Sequence, residues 1–181
     1  GVRAVITGTP PAGYWVSGLN VVPASVTLRG NQDLLDQTGN FIRTLPVDVS
    51  QATGDLNVEV PLDLPQDVQA LDQNGNPIQT ATILAQIDVR QGDLALTQPV
   101  ELIGQSNNVT ATVEPPEVDL LLQGPVPTLN QIRADPGLVR VVVNIADLNP
   151  DQEADLVPTI IAPDGVHAQL IPPSVLVETS Q

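Results

Sequence analysis

The sequence predicts an all-β protein with one or two short helical turns, built from two small tandem domains. Its 181 residues include 18 prolines and 13 glycines, which interrupt the hydrophobic runs too often for long helices. Valine, leucine and isoleucine fill those runs, whereas the only aromatic residues are Tyr14, Trp15 and Phe41. We therefore expect an aliphatic core made of strands.

A pattern of proline, spaced hydrophobic residues and glycine occurs twice, at points roughly 90 to 100 residues apart, which is about the length of one small domain. The segments of the first copy are 22–30, 46–49 and 64–68, and those of the second are 113–124, 143–145 and 162–166. The first copy ends near Arg90 and the second begins directly after it. We therefore predict a first domain at 1–91 and a second at 92–181, joined by a short linker.

In the first domain, alternation of apolar and polar residues predicts five strands. These strands cover 3–7, 14–22, 25–29, 56–64 and 82–89. Asn31 is expected to cap one helical turn that runs through Leu35. Proline has no N–H to donate, so Pro61 places its strand at a sheet edge or a bulge. The Asn-Gly pair at 74–75 predicts a hairpin turn before the last strand.

The second domain repeats this order. Its predicted strands cover 96–103, 109–113, 118–122, 138–145, 156–161, 167–171 and 175–177. A short helix is predicted over Thr128–Arg133, with Thr128 as its cap. The run 138–145 is apolar apart from Arg140, so we expect this strand to lie inside its sheet and to be covered on both faces.

The charge and composition exclude several classes of protein. Six arginines, no lysine and 21 acidic residues give a net charge of −15, which would repel a nucleic acid backbone. The absence of cysteine excludes disulfides, thiol catalysis and cysteine-bound zinc. No run approaches the roughly 20 apolar residues that span a bilayer. Because the chain begins at Gly1 and contains no methionine, we interpret it as a processed product or an excised fragment.

The residue types that carry catalysis form no recognisable motif. His167 is the only histidine, and no Gly-x-Ser-x-Gly context accompanies it, so a surface histidine is the simpler interpretation. A glycosidase-like carboxylate pair would need a cleft with aromatic residues for sugar stacking, and the chain has only three aromatics. We therefore predict no enzyme activity, no catalytic residue and no cofactor, and we assign the carboxylates to solubility.

Two acidic stretches have the alternating oxygen ligands that calcium prefers. The first contains Asp72, Asn74 and Asn76, and the second contains Asp147, Asp151, Glu153 and Asp155. A polar hairpin turn and a solvated loop are the alternative interpretations, so we assign no metal site and retain both stretches as calcium candidates. A glycosylation sequon at 108–110 is interpreted as a chance match.

Tyr14 and Trp15 are adjacent, so their side chains point to opposite faces if the segment is extended. We expect one to pack inward and the other to be at least partly exposed. An exposed tryptophan in a chain so poor in aromatics makes Trp15 the candidate for a partner contact. The alternative is that Trp15 covers the junction between the domains.

Several segments resemble the YbbR repeat. In the first copy these are Gly-Tyr at 13–14, Pro-x-x-Val-x-Leu-x-Gly at 23–30, Leu-Pro-Val-Asp-Val at 45–49 and Leu-Pro-Gln-Asp-Val at 64–68. The second copy is similar to a more divergent member, with 104–107 in place of the Gly-Tyr region and two additional residues between Pro115 and Gly124. The domain also resembles the C-terminal domain of ribosomal proteins of the L-twenty-five type, but the charge of −15 argues against binding to ribosomal RNA.

The resemblance implies an extracytoplasmic array of small β domains in a bacterial cell envelope, anchored in the parent protein by one membrane helix outside this chain. It implies a non-enzymatic protein-interaction module that regulates a membrane diadenylate cyclase, the enzyme that makes cyclic di-AMP. The alternative is a structural cell-envelope protein whose β domains contact copies of themselves and assemble into an array or fibre. A third interpretation is a calcium-dependent carbohydrate-binding module.

Overall fold

The computed structural model describes residues 1–105 and 109–180, and the chain forms two compact units, Gly1–Val89 and Arg90–Gln181. The boundary predicted between 91 and 92 lies two residues after this division. The reason is that the first strand of unit 2 already begins at Gln91, so only Arg90 separates it from the last strand of unit 1.

Unit 1 is built almost entirely of strands. Its elements are β1 (Val2–Thr7), β2 (Tyr14–Val22), β3 (Thr27–Arg29), α1 (Gln32–Thr38), β4 (Ile42–Asp48), β5 (Leu56–Asp63), β6 (Gln69–Leu71), β7 (Pro77–Ile78) and β8 (Thr80–Val89). One sheet has the order β1-β4-β5-β8-β2 and the other has the order β3-β6-β7. Strands β1 and β4 are parallel, and the other pairs are antiparallel. The aliphatic core of unit 1 consists of three small clusters.

Two local predictions for unit 1 have different outcomes. Asn31 caps α1 as expected, because its Oδ1 accepts the backbone N–H of Asp33 at 3.1 Å, although the helix has seven residues. The edge or bulge predicted at Pro61 is wrong, since β5 lies between β4 and β8. Pro61 occupies the point where the pairing of β5 passes from β8 to β4, so a missing N–H is tolerated there.

Unit 2 repeats the architecture with a longer first strand. Its elements are β9 (Gln91–Ile103), β10 (Thr110–Glu114), β11 (Glu117–Pro125), α2 (Val126–Ala134), a 3-10 turn (Pro136–Leu138), β12 (Arg140–Asn144), β13 (Glu153–Leu156), β14 (Thr159–Ile161), β15 (His167–Ile171) and β16 (Val175–Ser180). The sheets have the orders β14-β12-β9-β11-β15 and β10-β16-β13. One continuous aliphatic cluster forms the core of unit 2.

The structure corrects three boundaries in unit 2. The predicted cap Thr128 lies inside α2, which begins at Val126 after Pro125 and has no side-chain cap. The strand predicted over 138–145 begins at Arg140, because Leu138 belongs to the 3-10 turn, but β12 does lie inside its sheet. The strand predicted over 156–161 is divided into β13 and β14, since Pro158 interrupts it.

Both units have the same corner where their parallel strands end. A glycine with positive φ follows the first strand, Gly8 in unit 1 and Gly104 in unit 2. The second strand ends at Asp48 in unit 1 and at Asn144 in unit 2. In each unit, the side-chain Oδ1 of this last strand residue accepts the backbone N–H of the residue two positions later, at 2.8 Å in unit 1 and 3.0 Å in unit 2. The two corners are therefore structurally equivalent positions in the two units.

Both units also share a tight turn beside a glycine. In the turns 65–68 and 163–166, the N–H of the last residue donates to the carbonyl of the first at 3.2 Å and 3.3 Å. A β-carbon on Gly30 or Gly124 would lie 3.0 Å or 2.9 Å from a carbonyl oxygen of the adjacent turn. Because α1 and α2 each begin two residues after these glycines, β3 and α1 correspond to β11 and α2.

Among the described residues, neither helix is long and apolar enough to cross a membrane.

Candidate interaction surface

His167 lies exposed at the start of β15, beside a shallow depression at the end of the sheet of unit 2. The depression has a volume of about 430 Å³, and Asp93 and Gln123 are among the residues that line it. The described lining residues include no serine, threonine or cysteine. A histidine without a neighbouring hydroxyl or thiol cannot activate a nucleophile of its own chain in the manner of a Ser-His-Asp triad.

The carboxylates are distributed over the surface. Every acidic side chain is exposed except those of Asp72 and Glu101, which are half-buried. A carboxylate that acts as a general acid usually needs burial to raise its pKa, and here the resolved pKa shifts of acidic groups are downward. The acidic residues are thus spread over the solvent-exposed surface of both units.

Asp72 organises the predicted hairpin turn. Its Oδ1 accepts the backbone N–H groups of Asn74 and Asn76, each at 2.8 Å, and its Oδ2 accepts the side-chain amide of Asn76 at 3.2 Å. Both carboxylate oxygens are therefore occupied by the turn itself. This geometry accounts for the alternating polar residues without a cation, and calcium binding at this turn stays a prediction without support from the geometry.

The second calcium candidate stretch is spread along the chain. Asp147 and Asp151 lie in the loop before β13, whereas Glu153 and Asp155 project from that strand. Over residues 1–105 and 109–180, no three histidine or acidic side chains are grouped closely enough to hold a metal ion. The sequon at 108–110 begins at Asn108, outside the described residues.

Hydrogen bonds lower the pKa of three carboxyl groups. Ser50 does so for Asp48, the backbone N–H of Asn76 for Asp72, and the guanidinium of Arg140 for Glu101. The bidentate ion pair of Arg140 and Glu101 joins β12 to β9, with an Nε to Oε1 distance of 3.1 Å. Each group therefore favours the folded state in its ionised form.

We expect these groups to make folding sensitive to acid. The pKa values of these groups are lower in the folded protein than in the unfolded chain, where they are about 3.9 for Asp and 4.3 for Glu. Their contribution to the free energy of unfolding is therefore complete above about pH 4 to 5. It is lost as the pH falls through the pKa values of the folded protein. The variant Asp72→Asn should lose less stability than the wild type between pH 5 and about 3. Urea unfolding at each pH measures this, and parallel curves for the two proteins would contradict it.

Trp15 occupies an edge strand of unit 1. Strand β2 pairs with β8 alone, with Tyr14 opposite Val89 and Trp15 opposite Asp88. Tyr14 packs against a core cluster, whereas Trp15 is 44% exposed on the other face. The alternation of the two rings therefore follows the sequence prediction.

The exposed face around Trp15 combines one aromatic ring with polar and acidic groups. Opposite residues of paired strands share a face, so Trp15 lies on the same side as Asn20, Leu84, Gln86 and Asp88. We call these five residues the Trp15 face. An amphipathic ring with a polar surround is typical of a protein contact, and the carboxylate disfavours anionic ligands. The sequence did not predict which residues surround the ring, because that requires the register of β2 and β8.

These features define a class: an acidic protein of two tandem β units with an exposed aromatic face. The model of the YbbR-like protein family matches residues 2–87, nearly all of unit 1. Unit 1 is therefore a YbbR-like domain.

The chain is also similar to a curated relative, the CdaA regulatory protein CdaR of Bacillus subtilis. The two are 23% identical over 151 residues, which cover 82% of this chain and 30% of the relative. An alignment of that length must include residues of both units. The chain thus spans less than a third of the relative's length.

Two solved structures are similar to the chain. The YbbR-like domain of a Listeria monocytogenes protein is 15% identical, with a TM-score of 0.45, and the match covers 49% of this chain and 93% of that one. A YbbR-like protein from Streptococcus pneumoniae is 18% identical, with a TM-score of 0.34, and the match covers 99% of this chain and 90% of that one.

Proposed function

We propose that both units are YbbR-like domains and that the chain is a non-enzymatic interaction module of a YbbR-type regulator. The family match supports this for unit 1. For unit 2, the shared corner, the shared turn and the shared parallel strand pair support it, together with an alignment to the relative that extends over both units.

The parent protein, in this proposal, regulates a membrane diadenylate cyclase from outside the cytoplasm and thereby controls cyclic di-AMP. The observation that carries this step is the similarity to a protein named as a regulator of CdaA. The exposed carboxylates fit a module that remains soluble and does not bind nucleic acid. The depression beside His167, whose described lining has no serine, threonine or cysteine, fits a role without catalysis.

The Trp15 face is the proposed contact with the partner. It spans the edge strand β2 and its neighbour β8, and the Trp15 ring offers a large apolar area at a low cost in conformational entropy. The backbone of β2 also has a free edge, because β2 ends the sheet order. Together they give a partner both an anchor side chain and a strand to pair with.

We expect Trp15→Ala in the full-length parent to weaken binding to the cyclase roughly 30-fold, the loss of one hot-spot residue. Leu45→Ala is the matched control, since Leu45 is also 44% exposed in unit 1 but lies on β4. Co-expression with the cyclase and measurement of bound cyclase and cyclic di-AMP test both variants. Equal binding by Trp15→Ala and wild type, with unchanged cyclic di-AMP, would refute this contact.

A further inference from the structure

Strand β9 of unit 2 has two successive partners. Its first part, 91–99, pairs with β11, and its last part, 100–103, pairs with β12. In unit 1, β1 corresponds to the last part alone. The N–H of Val2 donates to the carbonyl of Ala24 at 2.9 Å, as the N–H of Val100 donates to that of Pro116 at 2.9 Å.

Strand β3 consequently has one open edge. Its counterpart β11 is paired on one side with β15 and on the other with β9. Within unit 1, which the structure describes completely, β3 pairs with β6 on one side and with no strand on the other. The backbone groups of this edge are thus free to accept a strand.

The side chains around β3 are less buried than their counterparts around β11. Leu120 and Leu122 of β11 are 1% and 0% exposed, whereas Val26 and Leu28, at the equivalent positions, are only half-buried. Helix α2 buries two residues and packs against both β9 and β11, but α1 buries none. The core of unit 1 is therefore incomplete on the side of β3 and α1.

A groove occupies the place that β9 fills in unit 2. It has a volume of about 160 Å³, and its lining includes Val26, Leu28 and Phe41. Phe41 is 48% exposed, with the guanidinium of Arg3 stacked on its ring at 3.7 Å from the centroid. Gly1 lies at one end of this groove, at the position equivalent to Pro99 of β9.

We propose that this β3 groove is a strand-acceptor site and that its occupant is an extended segment joined directly to Gly1, antiparallel to β3. A segment attached to Gly1 starts at the end of the groove, so it binds at a high effective concentration. The register of β9 against β11 places Leu94 and Leu96 opposite Leu122 and Leu120. The third and fifth residues before Gly1 should therefore be apolar and cover Val26 and Leu28.

The test adds the sequence of 91–98, whose register is known, to the amino end of the full 181-residue chain. The control extension carries aspartate in place of both leucines. Trp15 is the only tryptophan and lies in unit 1, so its fluorescence reports the unfolding of that unit. We expect the extension to raise the midpoint by at least about 4–8 °C, and to slow exchange of the β3 amides at least tenfold, relative to the control.

The variant Leu28→Ala gives a second, independent measurement. In the extended chain it should lower the midpoint clearly more than in the chain that begins at Gly1, because Leu28 becomes buried only when the groove is filled. Equal midpoints for both extensions would overturn the proposal. So would a rise that occurs only through dimers, or one that a free peptide of the same sequence reproduces at equimolar concentration, because the occupant would then come from another chain.

Discussion

The variant Leu122→Ala is expected to lower the free energy of unfolding of unit 2 by about 2–5 kcal/mol. Leu122 is 0% exposed, because β11 is covered by β9 on one side and β15 on the other. Removing its side chain leaves a cavity that two paired neighbours prevent from collapsing. Urea unfolding followed by circular dichroism and by amide exchange in unit 2 measures the loss.

Leu28→Ala is the matched control, since Leu28 occupies the equivalent position of unit 1 and is only half-buried there. In the chain that begins at Gly1 we expect a loss of about 1 kcal/mol, in proportion to the smaller buried area. Trp15 fluorescence follows unit 1 separately. Equal losses in the two units would contradict the equivalence of β3 and β11 or the openness of the β3 groove.

The variant Gly104→Ala is expected to destabilise unit 2 by about 2–5 kcal/mol, through both backbone strain and overpacking. Gly104 has a φ of +79°, which side chains rarely adopt. A β-carbon there would lie 2.5 Å from Oδ1 of Asn144 and 2.9 Å from Cβ of Ala146. It would therefore displace the oxygen that caps the corner at the end of the parallel strands.

Gly75→Ala separates these two causes. Gly75 has a φ of +82°, but no atom lies within 4 Å of the β-carbon it would gain. We expect this variant to lower the free energy of unfolding by only about 1–2 kcal/mol, which is the part of the loss that comes from backbone strain. Thermal unfolding compares the two variants. If Gly104→Ala lowers the free energy of unfolding no more than Gly75→Ala does, the prediction that close packing at the corner of unit 2 adds to the loss is wrong.

The fold class followed from local signals that the structure retains. Turn signals predicted β2 and β8, alternation predicted β3 and β5, the oxygen of Asn31 caps α1, and the Asn-Gly pair at 74–75 does form a turn. These features depend on neighbouring residues, so one sequence contains enough information to predict them. The all-β class is confirmed for the chain, and the YbbR-like family is confirmed for unit 1.

The errors arose where pairing between distant residues decides the structure. Pro61 suggests an edge by itself, but the change of partner along β5 gives it a position that needs no donor. Thr128 has the chemistry of a helix cap, yet the helix begins two residues earlier at Val126, with Pro127 in its first turn. No local pattern shows that β9 pairs first with β11 and then with β12.

The candidate site was predictable in part. Because side chains alternate between the two faces of a strand, the sequence predicts that one of the two adjacent rings is exposed, and Trp15 is that ring. The register that places Leu84, Gln86 and Asp88 beside it depends on a strand some 70 residues away. Among the described residues of the second calcium candidate stretch, Asp147 and Asp151 lie in a loop and Glu153 and Asp155 on a strand, since regular spacing along a chain does not by itself bring ligands together around a point.

Purification of the full-length parent from its native membranes tests the proposed regulatory role most directly. We predict that a diadenylate cyclase is recovered in stoichiometric amounts with the wild type. Deletion of the two units should abolish this recovery and change the level of cyclic di-AMP. Recovery of long polymers of the parent without a cyclase would contradict the account and indicate a structural protein of the cell envelope, as would equal cyclase recovery after the deletion.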